Sequence, residues 1–246
     1  MSRIKLYTKL AEWWPLLSDP ADYEEEAGLF RRAIAEHSPQ YPSTMLELGS
    51  GGGNNASFLK KHFKLTLVDI SQEMLNVSRK LNPECEHMQG DMRCIRLGAE
   101  YDVIFIHDAI SYMSSTEQLA QAIETAFVHC RPGGTALFVP DDTKESFKPG
   151  TSHGGHDKGN RGIRYLEWTI DHDPNDEKYN SYMSYLLRIH DEIRQIDFDE
   201  HVCGLFTEAR WLDTIRGAGF EPKKLSFDHS EFTNGVHSMF IGTKSK

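Results

Sequence analysis

A chain of 246 residues with 39% hydrophobic and 11% aromatic side chains has the apolar mass for one sizeable core, which excludes a disordered or fibrous protein. Its formal charge of −10 opposes attraction to a phosphate backbone and disfavours nucleic acid as a substrate. Cys85, Cys94, Cys130 and Cys203 form no C-x-x-C pair, no signal-like apolar stretch follows Met1, and no run of about 18 apolar residues occurs, so a cytoplasmic, non-membrane protein with free thiols is expected.

The first 40 residues read as helical, with Tyr7, Leu10, Trp13, Trp14 and Leu17 recurring near a helical turn until Pro15 and the stretch Ser18 to Pro20 interrupt. A second helix is predicted from Asp22 to about His37, closed by Pro39 and Pro42. From Thr44 short apolar runs alternate with amphipathic helices. Thr44 to Leu48, Leu65 to Asp69, Cys85 to Gln89, Tyr101 to Ile106 and Thr135 to Val139 read as strands. The helices between them start near Asn54, after Ser71 as a cap, and near Ser115, which has capping-box spacing to Gln118. Arg131-Pro132-Gly133-Gly134 is predicted to turn the chain into the fifth strand. Such alternation demands a parallel sheet with right-handed crossovers. Pro140 to about Gly162 reads as a loop. Arg164 to Ile170, Tyr182 to Ile189 and Glu192 to Val202 then read as inserted antiparallel strands. A helix from about Thr207 to Arg216 and two last strands, Lys223 to Phe227 and Val236 to Thr243, complete the chain. The expected fold is α/β, a Rossmann-like, seven-stranded, mostly parallel sheet with helices on both faces. Its expected parts are an N-terminal helical lid (1–43), a core (44–162), a strand insertion (163–203) and a C-terminal completion of the core (204–246).

The strongest motif is Glu47-Leu48-Gly49-Ser50-Gly51-Gly52-Gly53, directly between the first strand and a helix. Its glycines permit a tight turn and a close ligand approach. Asp69 ends the second strand, where a carboxylate can accept both hydroxyls of a ribose, and Asp91 in Gly90-Asp91-Met92 can read the amino group of an adenine. These spacings also suit a nicotinamide-dinucleotide enzyme. Against that stand Glu47, which suits a cationic ligand better than a pyrophosphate, the lack of any Tyr-x-x-x-Lys pair, and the strand pair at the chain's end.

Glu47-x-Gly49-x-Gly51-x-Gly53, Asp69, Gly90-Asp91-Met92 and Arg131-Pro132-Gly133-Gly134 resemble the successive motifs of the class I S-adenosylmethionine-dependent methyltransferases. Gly90-Asp91-Met92-Arg93, Arg96-Leu97-Gly98 and Ser111-Tyr112-Met113 are similar to the amino-sugar N-methyltransferases of antibiotic biosynthesis, while Ser50 and Asn54-Asn55 depart from their usual loop. The resemblance implies that Glu47, Gly49, Ser50 and Gly51 lie against the methionine part of S-adenosylmethionine. It places Asp69 on the ribose, Ile70, Met74, Asp91 and Met92 around the adenine, His107 beside the sulfonium and Tyr112 near the transferable methyl. Tyr7, Trp14 and Tyr23 are aromatic candidates for the lid over the cofactor, and Trp13 for core.

His107 and Asp108 follow the fourth strand, and Tyr112 lies close by; these three are the catalytic candidates, with His107 as a base wherever the nucleophile must lose a proton. The other reading has His107 packing against the cofactor and Asp108 capping a turn. His153 and His156, three apart in a Gly-rich loop, are too few for a stable metal site, and no metal is expected. Lys158, Arg161 and Arg164 either grip an anionic substrate group or are solvated. Three functions remain open: methylation of a small-molecule amine, O- or C-methylation with His107 as base, and a non-catalytic cofactor-binding protein. The inserted strands are also a candidate surface for a homodimer.

Overall fold

The computed structural model describes residues 4–38, 41–227 and 237–246. Pro39 and Val236, the expected closer of a helix and start of the last strand, lie outside them. The chain opens with turns and a 3-10 turn over Ala11–Trp13, then a single helical turn, α1 (Trp14–Leu17), with Pro15 in its first turn, where a missing N–H costs nothing. The continuous helix expected before Pro15 is absent because this segment is fastened from outside. The Asp199 carboxylate accepts the backbone N–H groups of Lys5 (2.9 Å) and Leu6 (2.8 Å). A further 3-10 turn (Pro20–Tyr23) leads into α2 (Glu24–His37).

The core elements follow in order: β1 (Thr44–Leu48), α3 (Asn54–Leu59), β2 (Lys64–Asp69), α4 (Gln72–Leu81), β3 (Glu86–Gln89), β4 (Tyr101–His107), α5 (Thr116–His129) and β5 (Cys130–Val139). The Ser71 side chain accepts the Met74 N–H and that of Ser115 the Gln118 N–H, as their capping positions require. Then come β6 (Gly150–Gly154), β7 (Asp157–Lys158), β8 (Arg161–Ile170), β9 (Lys178–Ile189), β10 (Glu192–Gly204), α6 (Glu208–Gly217), β11 (Phe220–Phe227) and β12 (His237–Lys244).

Seven strands form one sheet in the order β11-β12-β5-β4-β1-β2-β3, parallel from β3 to β5, with β12 antiparallel to both its neighbours. The expected Rossmann-like α/β architecture is therefore the observed one. Side chains alternate across β1: Leu46 and Leu48 join a core with Ile123 of α5 and Trp211 of α6, and Met45 joins the opposite core with Phe30 and Ile34 of α2. Arg131-Pro132-Gly133-Gly134 is not a free turn but the start of β5: Cys130 pairs with Tyr101, and the register shifts before Thr135 meets Val103. Gly133 takes φ +77° in that irregularity, and a side chain on Gly134 would fall 2.9 Å from the Asp102 carbonyl oxygen.

A second sheet has the order β10-β9-β8-β6, with β7 also paired to β8. β6 and β7 occupy what reads in sequence as a loop; β6 is an edge strand, mostly exposed, so it carries no apolar alternation. Leu6, Leu10, Trp13 and Leu16 pack against Ile163, Met183, Tyr185 and Leu187 of this sheet, joining it to the N-terminal segment. Trp13 is core, as expected, under the Arg161 guanidinium 3.9 Å from its ring centroid. All four cysteines are free. No helix among the described residues is long and apolar enough to cross a membrane.

Candidate active site

A cavity of about 570 Å³ lies over the carboxyl ends of β1, β2, β3 and β4, under the N-terminal segment and β10. Gly49, Gly51 and Gly53 all take positive φ, the region that favours glycine. At Gly49, with φ +78°, an added Cβ would collide with Ala109 Cβ and fall 2.7 Å from Met92 Cε. The Gly49 and Ser50 N–H groups both donate to the Val68 carbonyl (2.7 and 2.9 Å), tying the loop to β2.

Three carboxylates line the cavity along the strand ends. Glu47 is 4% exposed and its Oε2 finds no hydrogen-bond partner among the described residues; burial first, then the nearby Asp69 and Glu26, push its carboxyl up to about 8. Asp69 accepts the N–H of Gly51 (2.8 Å) and of Ser71 (2.7 Å), so it organises the loop while facing the cavity; burial raises its pKa. Asp91 is gripped by Arg93, whose Nη2 is 2.5 Å from Oδ2 and whose Nε is 3.0 Å from both oxygens, and this pairing lowers its pKa. Ile70, Met74 and Met92 form the apolar wall between them.

The opposite wall is aromatic. Trp14 lies against Gly52, where a Cβ would collide with its ring, and its Nε1 donates to Asn54 Oδ1 (3.3 Å). Tyr7 packs 6.0 Å from Trp14 and 5.8 Å, edge-on, from Tyr112. The Tyr112 hydroxyl is 2.8 Å from that of Tyr7 and 2.7 Å from His201 Nδ1. Burial raises the pKa of both tyrosines and lowers that of His201. The Tyr23 hydroxyl bonds that of Ser18 (2.7 Å). His107 ends β4, its ring 5.0 Å from Phe30 and stacked 6.0 Å from Phe105; its Nδ1 is 3.2 Å from Asn55 Nδ2 and its Nε2 2.8 Å from Asp108 Oδ1.

Every residue predicted for the site therefore lines this one cavity: Tyr7, Trp14, Tyr23, Glu47, Gly49, Ser50, Gly51, Asp69, Ile70, Met74, Asp91, Met92, His107, Asp108 and Tyr112. Lys158, Arg161 and Arg164 lie outside its lining: Arg164 pairs with Asp157, and Arg161 stacks on Trp13 and meets Glu12 at 3.5 Å. His153 sits on the exposed edge strand β6, paired with Leu166, and no group of three or more metal-ligating side chains occurs among the described residues. Sequence reasoning missed Asn55, which lines the cavity, and His201, which holds the Tyr112 hydroxyl.

Comparison with known proteins fits this geometry. Residues 45–134 match the family model of a methyltransferase domain. The chain is 30% identical over 131 residues to the dTDP-3-amino-3,4,6-trideoxy-α-D-glucopyranose N,N-dimethyltransferase of Streptomyces venezuelae, covering 52% of this chain and 55% of that protein. It is 25% identical over 208 residues to the dTDP-4-amino-2,3,4,6-tetradeoxy-D-glucose N,N-dimethyltransferase of Saccharopolyspora spinosa, covering 83% and 81%. The first of these matches thus spans about half the relative's length. Among solved structures, Streptomyces venezuelae DesVI superposes with a TM-score of 0.80 at 22% identity, over 91% of this chain and 92% of that one. CalS10, an amino pentose methyltransferase solved with S-adenosylmethionine bound, gives 0.76 at 18% identity, over 91% and 92%. The match to the methyltransferase-domain model thus covers the first four strands of the large sheet and the start of β5, and the likeness to solved structures shows a Rossmann-like fold. The proteins it resembles include amino-sugar N,N-dimethyltransferases, as the motifs imply.

Proposed function

We propose that this chain is an S-adenosylmethionine-dependent methyltransferase acting on an amine of a small, amino-sugar-like molecule. Glu47 carries the reading. A buried carboxyl with an oxygen that no protein group satisfies fits a cationic ligand group, and the α-ammonium of the cofactor is such a group. Glu47, Asp69 and Asp91 lie at the ends of successive strands, an order that fits the amino acid, ribose and adenine of one adenosyl ligand.

Glu47 would take the ammonium, with Gly49, Ser50 and Gly51 around the amino-acid part. Asp69 would accept the ribose hydroxyls, and Ile70, Met74, Asp91 and Met92 would hold the adenine. When bound, S-adenosylmethionine supplies an electrophilic methyl group on a sulfonium. The chain's own task is alignment and exclusion of water, which the Tyr7, Trp14 and Tyr23 wall performs as the lid together with the strand insertion. Aromatic faces also favour a neighbouring sulfonium by cation–π attraction. Tyr112, fixed between Tyr7 and His201, positions the acceptor.

Incubating the protein with S-adenosylmethionine and a panel of amino sugars and other amines, then reading mass, tests this: a gain of one or two methylenes is expected. Cofactor binding without transfer to any amine, hydroxyl or carbon acceptor would instead favour a sensing role. A second reading, transfer to oxygen or carbon with His107 as base, draws on the 2.8 Å contact of His107 with Asp108. Unchanged turnover in His107→Asn removes it.

The net charge of −10 favours a small molecule over nucleic acid as substrate, and the cytoplasm is the compartment that suits such an enzyme. The second sheet exposes Leu166, Trp168, Leu186, Ile196 and Phe198, each at least 43% accessible, on adjacent strands. Such a face is self-complementary in a two-fold dimer. Ile196→Glu is then expected to shift the protein from dimer to monomer in light scattering.

A further inference from the structure

On the reading that this cavity transfers a methyl group to an amine, we propose that His201 is a positioning residue: its bare Nδ1 accepts the Tyr112 hydroxyl hydrogen bond and so turns the lone pairs of Tyr112 and Tyr7 towards the amine. His201 sits in β10, 3% exposed and outside the cavity lining, and acts on the cavity through Tyr112. The three groups form one chain, from the Tyr7 hydroxyl to that of Tyr112 (2.8 Å) and on to His201 Nδ1 (2.7 Å). Both tyrosines line the cavity.

The heavy atoms of this chain are held in place, so what remains to be set is the direction of its hydrogens. The Tyr7 carbonyl accepts the Ser71 hydroxyl (2.5 Å), and Asp199, two residues before His201, accepts the N–H groups of Lys5 and Leu6. The rings of Tyr7 and Tyr112 each lie 5.9 Å from that of His201. A hydroxyl has one hydrogen, so Tyr112 donates either to His201 or to Tyr7. A phenol is a far stronger acid than a neutral imidazole N–H, and an imidazole nitrogen is a far stronger base than a phenol oxygen. The bond from Tyr112 to His201 is therefore the favoured one, and 2.7 Å suits a hydroxyl donor. Tyr112 then accepts from Tyr7, and neither hydroxyl hydrogen points into the cavity. What the two tyrosines offer there is oxygen lone pairs, which fit the N–H bonds of a neutral amine. Holding those bonds fixes the direction of the nitrogen lone pair, as in-line transfer requires.

His201 Nε2 is buried with no partner among the described residues in either order, so it favours neither. The surroundings keep the ring neutral at neutral pH. Burial lowers its pKa, against the opposing pull of Asp199 and Glu167. Asp199 is engaged by backbone N–H groups, and Asp197 pairs with Lys5 and Lys9. Glu167 of β8 accepts the hydroxyls of Ser152 (2.8 Å) and of Ser181 (2.6 Å), the residue opposite His201 on β9. Burial keeps the Tyr7 and Tyr112 hydroxyls and the Cys203 thiol protonated. Acid reverses the chain. A protonated His201 donates from Nδ1 to Tyr112, Tyr112 donates to Tyr7, and the Tyr7 hydroxyl hydrogen turns into the cavity. There it meets the amine's lone pair and occupies it. Methyl transfer therefore falls as pH drops through the His201 pKa, below the ordinary histidine value of about 6.5.

Tautomer and turnover together test this. In protein labelled with nitrogen-15 histidine, the His201 ring signals are those lost in His201→Asn. They should show a bare Nδ1 and a protonated Nε2 at pH 7, and the Nδ1 signal should move in Tyr112→Phe. The Asn variant puts Oδ1 in place of Nδ1, an acceptor that acid does not protonate. With S-adenosylmethionine and the amine methylated in the panel, His201→Leu is expected to lose about tenfold in kcat. His201→Asn should stay within about threefold of wild type and lack the wild type's extra fall below pH 6.5. Both variants should bind S-adenosylhomocysteine within about twofold of wild type by calorimetry. A protonated Nδ1 at pH 7 overturns the proposal; it is read in the wild-type fold and decides even if the Leu variant does not fold. Wild-type kcat in His201→Leu also overturns it, as does an equal loss in both variants, which would make the ring merely structural. A wild type that methylates no amine overturns the underlying reading instead, whatever the tautomer.

Discussion

Replacing Glu47 with Gln should raise stability and lower affinity at once. The Glu47 carboxyl has an ordinary pKa of 4.5 and is pushed up to about 8 in the fold, chiefly by burial. Between those values the unfolded chain binds fewer protons than the folded one, so stability falls as pH rises through that window and levels off above it. At about 1.4 kcal/mol per pH unit, the penalty by pH 7 is on the order of 3 kcal/mol. Gln is nearly isosteric with the neutral acid and removes the titration, though its amide N–H groups also need partners, at about 1 kcal/mol or more. The net stabilisation of the free protein at pH 8 is then about 1–2 kcal/mol, or roughly 2–8 °C in melting temperature. Near pH 4.5, where Glu47 is not yet penalised, the variant should be the less stable by about 1 kcal/mol. Affinity moves the other way: losing a charge-assisted hydrogen bond to the ligand ammonium costs about 1.5–3 kcal/mol, or about 10- to 100-fold. Melting curves at pH 5 and 8 with calorimetry of S-adenosylhomocysteine read both signs. A variant less stable than wild type at pH 8, or one of unchanged affinity, refutes the reasoning.

Other substitutions probe the remaining walls. Gly49→Ala places a Cβ against Ala109 and Met92 at a positive φ, so a loss of about 2–4 kcal/mol and of cofactor binding is expected in melting and binding assays. Asp69→Asn keeps one good acceptor for the Gly51 and Ser71 N–H groups but loses the charge offered to the ribose; affinity should fall about 10- to 100-fold by calorimetry. Tyr112→Phe strips the hydroxyl that links Tyr7 to His201, and a kcat about tenfold lower with cofactor affinity unchanged is expected in steady-state assays.

The cofactor side of the cavity was readable because its parts are local. Glu47, Gly49 and Gly51 sit at one strand-to-helix junction, Asp69 ends the next strand and Asp91 follows the one after, so the period of the α/β unit places them together. The acceptor side was less so. Tyr112 meets His201 across 89 residues, and nothing around His201 in β10 marks that position for the cavity. Asn55 reads as an ordinary first-turn helix residue until α2 brings Glu26 against it. The strands β6 and β7 escaped for a related reason: an exposed edge carries no alternation, and β8, which pairs with them, supplies their order. The first helix failed where tertiary contacts overrode local periodicity, since Asp197 and Asp199 of β10 hold Lys5, Leu6 and Lys9 in turns.

A crystal structure of the protein with S-adenosylhomocysteine is the most direct measurement of the whole assignment. It should place the ligand's amino group on the Glu47 carboxylate, its ribose hydroxyls on Asp69 and its adenine between Ile70 and Met92. A ligand bound elsewhere, or one lying in the cavity with Glu47 still unpartnered, would contradict it.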